Sequence, residues 1–476
     1  MRKKPLPILY NIPIIDAGSE GKSIARVDKL VVFLNNAVPG DIVDIKLTRK
    51  KNSYAEGTAI FWHHKSDKRD QAFCEHFGTC GGCKWQFMQY EHQLFYKQKQ
   101  VSDALIRIGK LDVHAISPIL ASKNTTHYRN KLEYTFSHKK WLTNEELENK
   151  DSIQIHEGLG FHVPGRFDKV LDINKCYLQA DLSNAIRDCI KQFAISHQYS
   201  FFDLREQIGF LRNLIVRNNS KGEWMVIVCF YMDDKDKREA LLTHLASQFF
   251  QITSLMYVIN PKRNDTINDL EVICFKGDAF LMEEMEEIRF KISPKSFFQT
   301  NTTQAYELYK ITREFAALTG NEVVYDLYTG TGSIANFFAA KAKKIIGIEF
   351  IAEAIEDAKE NSVLNHISNT SFFAGDMREV LNNEFIATHG RPDVIITDPP
   401  RAGMHPDVVN KILEILPHRI VYVSCNPSTQ ARDLEMMKTQ YAIIKVQPVD
   451  MFPHTHHVEN VVLLEIKNEL ADVVIS

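Results

Sequence analysis

The sequence predicts an α/β protein: a doubly wound, mostly parallel C-terminal sheet, preceded by a small β-barrel and a central α+β region. Three observations carry this. From residue 291 a rhythm of strand, glycine loop, helix and strand repeats, the sign of a parallel sheet covered by helices. Over residues 1–61, five short apolar runs (IPIIDAG, SIARVD, LVVFLNN, DIVDIKL, AEGTAIFW) are divided by Gly, Asn and Pro-Gly, the spacing of a small antiparallel barrel. Between them, KLEYTF, SIQIHE, GLGFHV, EWMVIVCF and LMYVIN read as strands of an α+β unit. The expected domains are 1–61, 62–290 and 291–476, and 476 residues leave room for about three.

Composition narrows the class. Apolar residues make up 44% of the chain, enough to build cores. No run approaches the ~18 apolar residues of a membrane helix. The start, MRKKPLPILYNIPIID, has no apolar stretch of the kind a signal peptide needs. A cytoplasmic protein is expected, with no membrane partner. The net charge of −3 argues against a polyanion binder as a whole. Residues 1–60 nevertheless hold ten Lys or Arg against six acids, either a phosphate-binding face or an ordinary solvated surface.

Residues 84–109 contain no Pro and a Gly only at the end, which predicts one helix. TNEELENKD, 143–151, reads as a solvated hairpin loop. The eight cysteines point to metal ligation or catalysis before disulfides in a chain of this kind. Cys74-x5-Cys80-x2-Cys83, with Cys176 later, offers four thiolates, and three nearby glycines let the chain wrap a bound group. On chemistry alone, tetrahedral zinc (with His76 available) and an iron–sulfur cluster are equal readings. Cys189, Cys229 and Cys274 lie in core-like surroundings.

In the C-terminal part, VVYDLYTGTGSIA (323–335) reads as strand, glycine loop and helix start. Glu349 ends the next strand, 23 residues after Asp326, close to the ~20-residue spacing of a ribose-hydroxyl ligand. The third glycine of a dinucleotide fingerprint is missing. Asp326 would repel a phosphate but suits a cation, which favours S-adenosylmethionine over a dinucleotide. Asp376 is placed to accept from an adenine edge, or to cap a helix. Asp398 stands before two prolines that fix its direction. Cys425 follows the strand VYVS; it is either a buried apolar filler or a group at the edge where such sheets hold their chemistry.

SCNPSTQARD, together with DPPRAG, SFFQTN and MFPHTHHVEN, resembles the RNA uracil-C5 methyltransferases, the family of the ribosomal and transfer RNA 5-methyluridine enzymes. The resemblance spans nearly the whole chain, and the four signatures occur in the family's order. It implies a Rossmann-like methyltransferase domain using S-adenosylmethionine, with Cys425 as nucleophile and Glu459 as base. The chemistry demands such a pair: a thiolate adding at C6 of uracil makes C5 electron-rich, and a base must then remove the C5 proton. The histidines at 454, 456 and 457 are expected to be structural or RNA-facing.

By the same resemblance, Gln299 lies between cofactor and uracil, Phe297 stacks on the flipped base, and Asp398 bonds both uracil and cofactor. Tyr328 and Ser333 join Glu349 and Asp376 on the cofactor. Arg401 and Arg432 either contact phosphate or hold a loop through a carboxylate. The cysteine pattern implies a 4Fe-4S cluster on Cys74, Cys80, Cys83 and Cys176, making the central unit an iron–sulfur domain. The N-terminal barrel resembles a TRAM domain. Its Lys22, Arg26, Lys29, Arg49, Lys50 and Lys51 are expected to grip phosphates, with Tyr128 and Arg129 adding contacts. Barrel and cluster together imply an unpaired loop uridine of 23S rRNA as substrate, no DNA, and a monomer. Transfer RNA is the alternative substrate. Amino-group methylation and a non-catalytic RNA-binding iron–sulfur protein are the competing functions.

Overall fold

The computed structural model describes residues 6–113, 116–148 and 155–469. Five strands, β1 (Ile8–Ala17), β2 (Ser23–Val27), β3 (Leu30–Asn35), β4 (Ile42–Lys50) and β5 (Tyr54–His64), close into a barrel in the order β1-β2-β3-β5-β4. Alternate residues such as Val32, Leu34, Val43, Ile45 and Ala55 fill its core, as the period of two requires. The barrel is not wholly antiparallel: β3 and β5 run parallel, because β4 intervenes in the chain between them.

The central sheet holds β6 (Lys131–Ser137), β7 (Gly158–His162), β8 (Val170–Asp172), β9 (Leu211–Asn218), β10 (Trp224–Phe230), β11 (Ile252–Ile259) and β12 (Ile273–Gly277), in the order β12-β11-β10-β9-β6-β7-β8. One face packs on the helices Leu182–Ser196 and Lys235–Gln248. On the other, Met225, Ile227, Cys229 and Met256 share a core with the helix Thr302–Ala316 of the C-terminal part. Burial on both faces explains why WMVIVCF is an unbroken apolar run.

After a hairpin, β13 (Leu281–Met285) and β14 (Ile288–Ile292), comes the C-terminal sheet. It contains β15 (Val323–Leu327), β16 (Lys344–Glu349), β17 (Thr370–Ala374), β18 (Val394–Thr397), β19 (Arg419–Ser424), β20 (Tyr441–Val449) and β21 (Glu459–Ile466), ordered β17-β16-β15-β18-β19-β21-β20. The first five in that order are parallel, and β21 runs antiparallel to β19 and β20. The order reverses between β15 and β18, where such sheets open a ligand crevice at the strands' C-terminal ends.

Three expectations need correction. The helix over 84–109 is α1 (Tyr90–Asp103) followed by a π-helical turn, Ala104–Ile108. Residues 84 and 85 leave the helix to donate their N–H groups to the His454 carbonyl, at 2.8 and 3.0 Å. Asn144–Glu148 is a short helix, not a loop, and the rest of that charged run, 149–151, lies outside the described residues. In SIQIHE, residues 152–154 also lie outside them, and Ile155, His156 and Glu157 are not in a strand. No described helix is long and apolar enough to cross a membrane.

Helix α1 clasps the segment before β21. Lys97 and Asp450 are both fully buried, 2.5 Å apart. The Tyr90 hydroxyl donates to the other Asp450 oxygen at 2.7 Å, and Lys97 also donates to the Phe452 carbonyl at 3.0 Å. Removing one partner of a buried pair strands the other charge. Lys97→Met should therefore cost about 3–5 kcal/mol of stability, read as a lowered urea midpoint.

Candidate active site

The glycine loop turns sharply out of β15. Tyr328, Gly330 and Gly332 have φ of 63°, 54° and 71°. A Cβ on Gly332 would stand 2.8 Å from the Ala358 Cβ, so conformation and space both demand glycine there. The Gly330 N–H donates to Glu349 at 3.3 Å and the Ile351 N–H at 3.1 Å, fixing the carboxylate at the end of β16. Asp326 is buried; one oxygen accepts from the Thr329 hydroxyl at 2.5 Å, and the other is buried without a partner. Burial pushes its carboxyl up to about 7, with Asp398 and Glu349 adding to the rise. Burial likewise pushes Asp398 to about 7.

Two expected cofactor residues are occupied elsewhere. Asp376 caps a short helix by accepting from the Arg378 N–H at 2.9 Å, and pairs with the Arg378 guanidinium at 2.5 Å. That partner holds its carboxyl down to about 2. The helix-cap reading of this aspartate therefore describes it. The Ser333 hydroxyl is bonded to the Tyr309 hydroxyl at 2.9 Å. Tyr328 is half-buried at the loop.

The SFFQTN segment lies against this loop, with the Thr331 hydroxyl donating to the Phe297 carbonyl at 3.4 Å. Phe298 is buried in the core while Phe297 is 69% exposed, free to stack on a flat ring. The central sheet holds the segment: Arg217 donates to the Ser296 carbonyl and Asn130 to the Gln299 carbonyl, both at 2.9 Å. Sequence reasoning missed Phe350 and Ile351, which are largely exposed beside Glu349. Two apolar side chains in water at a strand end suit an adenine ring. Their signal was present as FI directly after KIIGIE.

Cys425 follows β19. Ser424 pairs with Asn460 across the ladder, so the thiol leaves its strand beside the first residue of β21, Glu459. The cysteine is partly exposed, not core filler. It lines a cavity of about 670 Å³ with Arg401, Ser428, His457 and the barrel turn at Gly18 and Glu20. Asn426 caps the following helix, Pro427–Met437, and its side chain donates to the Arg401 carbonyl at 3.0 Å. Burial, then the nearby Glu459 and Asp398, push the thiol up to about 11, while Arg401 opposes them. Glu459 is 5% exposed; burial and Asp398 push it up to about 8, again against Arg401.

Burial pushes His454 and His456 down to about 4 and His457 to about 3, so all three are neutral near pH 7. His454 is structural: its N–H donates to Gln93 at 2.9 Å, and its carbonyl takes the Lys84 and Trp85 N–H groups. His457 lies 3.3 Å from the Arg401 guanidinium. Arg432 holds a loop, donating to Asp433 and to the carbonyls of Ala402 and Met404. Tyr128 is buried and donates to the Pro453 carbonyl at 3.0 Å, and Arg129 lies over the Phe452 ring at 5.3 Å. These three brace the site and are not free for RNA. In the barrel, Lys22 and Arg49 pair with Glu20 and Glu56.

Cys74, Cys80, Cys83 and Cys176 line one cavity of about 420 Å³. Burial, with a contribution from neighbouring thiols, raises Cys80 to about 11 and Cys83 to about 12. Backbone groups of His76, Phe77, Gly82 and Leu178 favour the thiolate forms of Cys74, Cys80 and Cys176. Among the described residues, no three His, Cys, Asp or Glu side chains are grouped to hold a metal ion. His76 accepts from the Asn174 N–H at 2.8 Å. Of the other cysteines, Cys229 is buried and Cys189 half-buried, but Cys274 is exposed because it lies on an edge strand, β12.

The profile of the tRNA (uracil-5-)-methyltransferase family matches residues 221–467, and that of the TRAM domain residues 10–60. An uncharacterized RNA methyltransferase of Bacteroides thetaiotaomicron is 59% identical over 94% of this chain and all of its own. The chain belongs to the tRNA (uracil-5-)-methyltransferase family. Another member, an uncharacterized RNA methyltransferase of Porphyromonas gingivalis, is 55% identical over 95% of this chain and 98% of its own. Among solved members, the Pyrococcus abyssi tRNA (uracil-54, C5)-methyltransferase, bound to S-adenosyl-L-homocysteine, superposes with a TM-score of 0.72 at 26% identity. That match covers 95% of this chain and the whole of the other.

Proposed function

We propose that this enzyme methylates C5 of uracil in RNA, with Cys425 as nucleophile and Glu459 as base. The observation that carries the reading is their juxtaposition at adjoining strand ends, on one cleft, each raised by the other's acidic surroundings. S-adenosylmethionine, when bound, supplies the methyl group. The unpartnered buried oxygen of Asp326, with Asp398 and Glu349 close by, suits its cationic part and ribose. Gln299, Tyr328 and the exposed Phe350 complete that pocket.

The chain's own steps follow. The Cys425 thiolate adds to C6, and the electron pair of the C5–C6 bond moves onto C5 and O4. Methylation at C5 leaves an acidic proton there. Glu459 takes it, the C6–S bond breaks, and the double bond and thiolate return. Arg401 favours both anionic forms. Both groups must be deprotonated to act, and both are raised, so activity is lost as pH falls. The kcat/KM should climb as the pH rises through about 8, the Glu459 value. Arg401→Gln should displace that rise to higher pH.

In this reading residues 1–61 grip RNA, 62–290 carry the cysteine site and 291–476 the chemistry. The four thiols and the amides that favour their anions support a 4Fe-4S cluster over zinc, since His76 is already bonded. A cluster spreads its ligands more widely than a single ion does. It would tie the cysteine-rich segment to Cys176 of the central unit. Anaerobically purified protein should contain iron and acid-labile sulfide; stoichiometric zinc without sulfide would contradict this.

The favoured substrate is an unpaired uridine in 23S rRNA, on the resemblance of barrel plus cysteines to the ribosomal branch. The Pyrococcus abyssi tRNA enzyme, matched along its entire length, supports transfer RNA as the second reading. Mass mapping of 5-methyluridine in rRNA and tRNA from cells lacking the protein tests both. Loss of a site in 23S rRNA is expected; loss confined to tRNA selects the second, and loss of neither rejects uracil methylation.

A further inference from the structure

A second groove lies beyond the catalytic cavity, across one turn of the barrel. Gly18, Ser19 and Glu20 wall the catalytic side. The next residue, Gly21, opens a groove of about 620 Å³ between the barrel, the cysteine-rich segment and residues 141–143. The divide is tightly built. A Cβ on Gly21 would lie 2.7 Å from the Lys84 Cβ, and the Trp85 indole donates to the Gly21 carbonyl at 3.2 Å. Lys84 therefore stands where barrel, cysteine segment and the loop before Glu459 meet.

The groove has the chemistry of a nucleotide site. Its volume falls in the range of small-ligand pockets, about 300–1,000 Å³, and is too confined for a protein element. Trp141 offers a half-buried aromatic surface, and Asn35 and Asn36 offer exposed amides that can pair with a base edge. Lys84 has no ion-pair partner among the described residues. Its charge reaches both His456 of the catalytic cavity and Cys80 of the groove. Glu75 is the one acid lining the groove, and its side chain is 60% exposed at the rim.

We propose that this groove binds an unpaired nucleotide of the same RNA strand, flanking the target uridine, with Trp141 stacking on its base and Lys84 on the intervening phosphate. The inference rests on the RNA-methyltransferase reading and extends it to a second base subsite. One stacked base is worth about 1–3 kcal/mol. Trp141→Ala should thus weaken binding of an oligouridine of about ten nucleotides by roughly 5- to 100-fold. It should leave an oligomer of about three nucleotides, too short to span both cavities, unaffected. Lys84→Gln should weaken the long oligomer and reduce its salt slope by about one.

Photocrosslinking of the long oligomer carrying 5-iodouridine away from the target position should label the Trp141 or Lys84 peptide of the full-length wild-type protein. Unchanged affinity in both variants, with no label on either peptide, would overturn the subsite and leave the groove to a protein contact. Wild-type protein that binds neither oligomer would overturn it together with the RNA reading beneath it.

Discussion

Cys425→Ala is expected to abolish methylation of RNA while leaving S-adenosylmethionine binding within about twofold. The loss should be roughly 10⁴-fold or more, the order that follows deletion of a covalent nucleophile. The reason is chemical. Without sulfur at C6, C5 of uracil is too electron-poor to take a methyl group, and no neighbouring side chain can replace a thiolate. The fold should tolerate the change, because the cysteine is partly exposed and its strand neighbours, not its own side chain, build the core. Single-turnover methylation and calorimetric cofactor binding check the two halves separately. Appreciable residual turnover would remove the nucleophile assignment.

Glu459→Gln should give a different failure. The carboxylate near Cys425 helps to keep that thiol protonated, so neutralising it makes the thiolate easier to form. Addition at C6 and methylation at C5 should then proceed, while removal of the C5 proton slows by about 10²–10⁴-fold, the range of a general base. A covalent protein–RNA adduct should accumulate, visible as a retarded band on a denaturing gel. Normal release of methylated product would reject the base role. The contrast matters: a merely structural glutamate would lose adduct and product together.

Much of this architecture was legible in the chain because it is written in periods. The barrel's alternation, the glycine loop and the strand-helix rhythm from 291 each follow from local sequence, and the structure has all three. What escaped was set by tertiary partners. The helix expected from residue 84 begins at Tyr90 because Lys84 and Trp85 are drawn to His454, over 350 positions away. β9 carries Arg212, Asn213 and Arg217, all buried. Its alternation was therefore masked by polar residues whose partners lie on other segments. In the site, Cys425 and Glu459 could be named from motifs. The inward bonds of Ser333, Arg432 and Tyr128 could not, since each acceptor or donor lies elsewhere in the fold. Asp376 is the instructive case: a cap and a ligand look alike in sequence, and only the Arg378 pair separates them.

The central claim is a transient bond between the Cys425 sulfur and C6 of uracil. RNA bearing 5-fluorouridine at the target position tests it most directly, because fluorine at C5 leaves no proton for Glu459 to remove and the adduct cannot be resolved. Incubation with S-adenosylmethionine, followed by proteolysis and mass spectrometry, should yield one RNA-linked peptide containing Cys425 and carrying the added methyl group on the pyrimidine. Methylated or unmodified RNA with no such peptide, or a linkage through any other residue, would contradict the account.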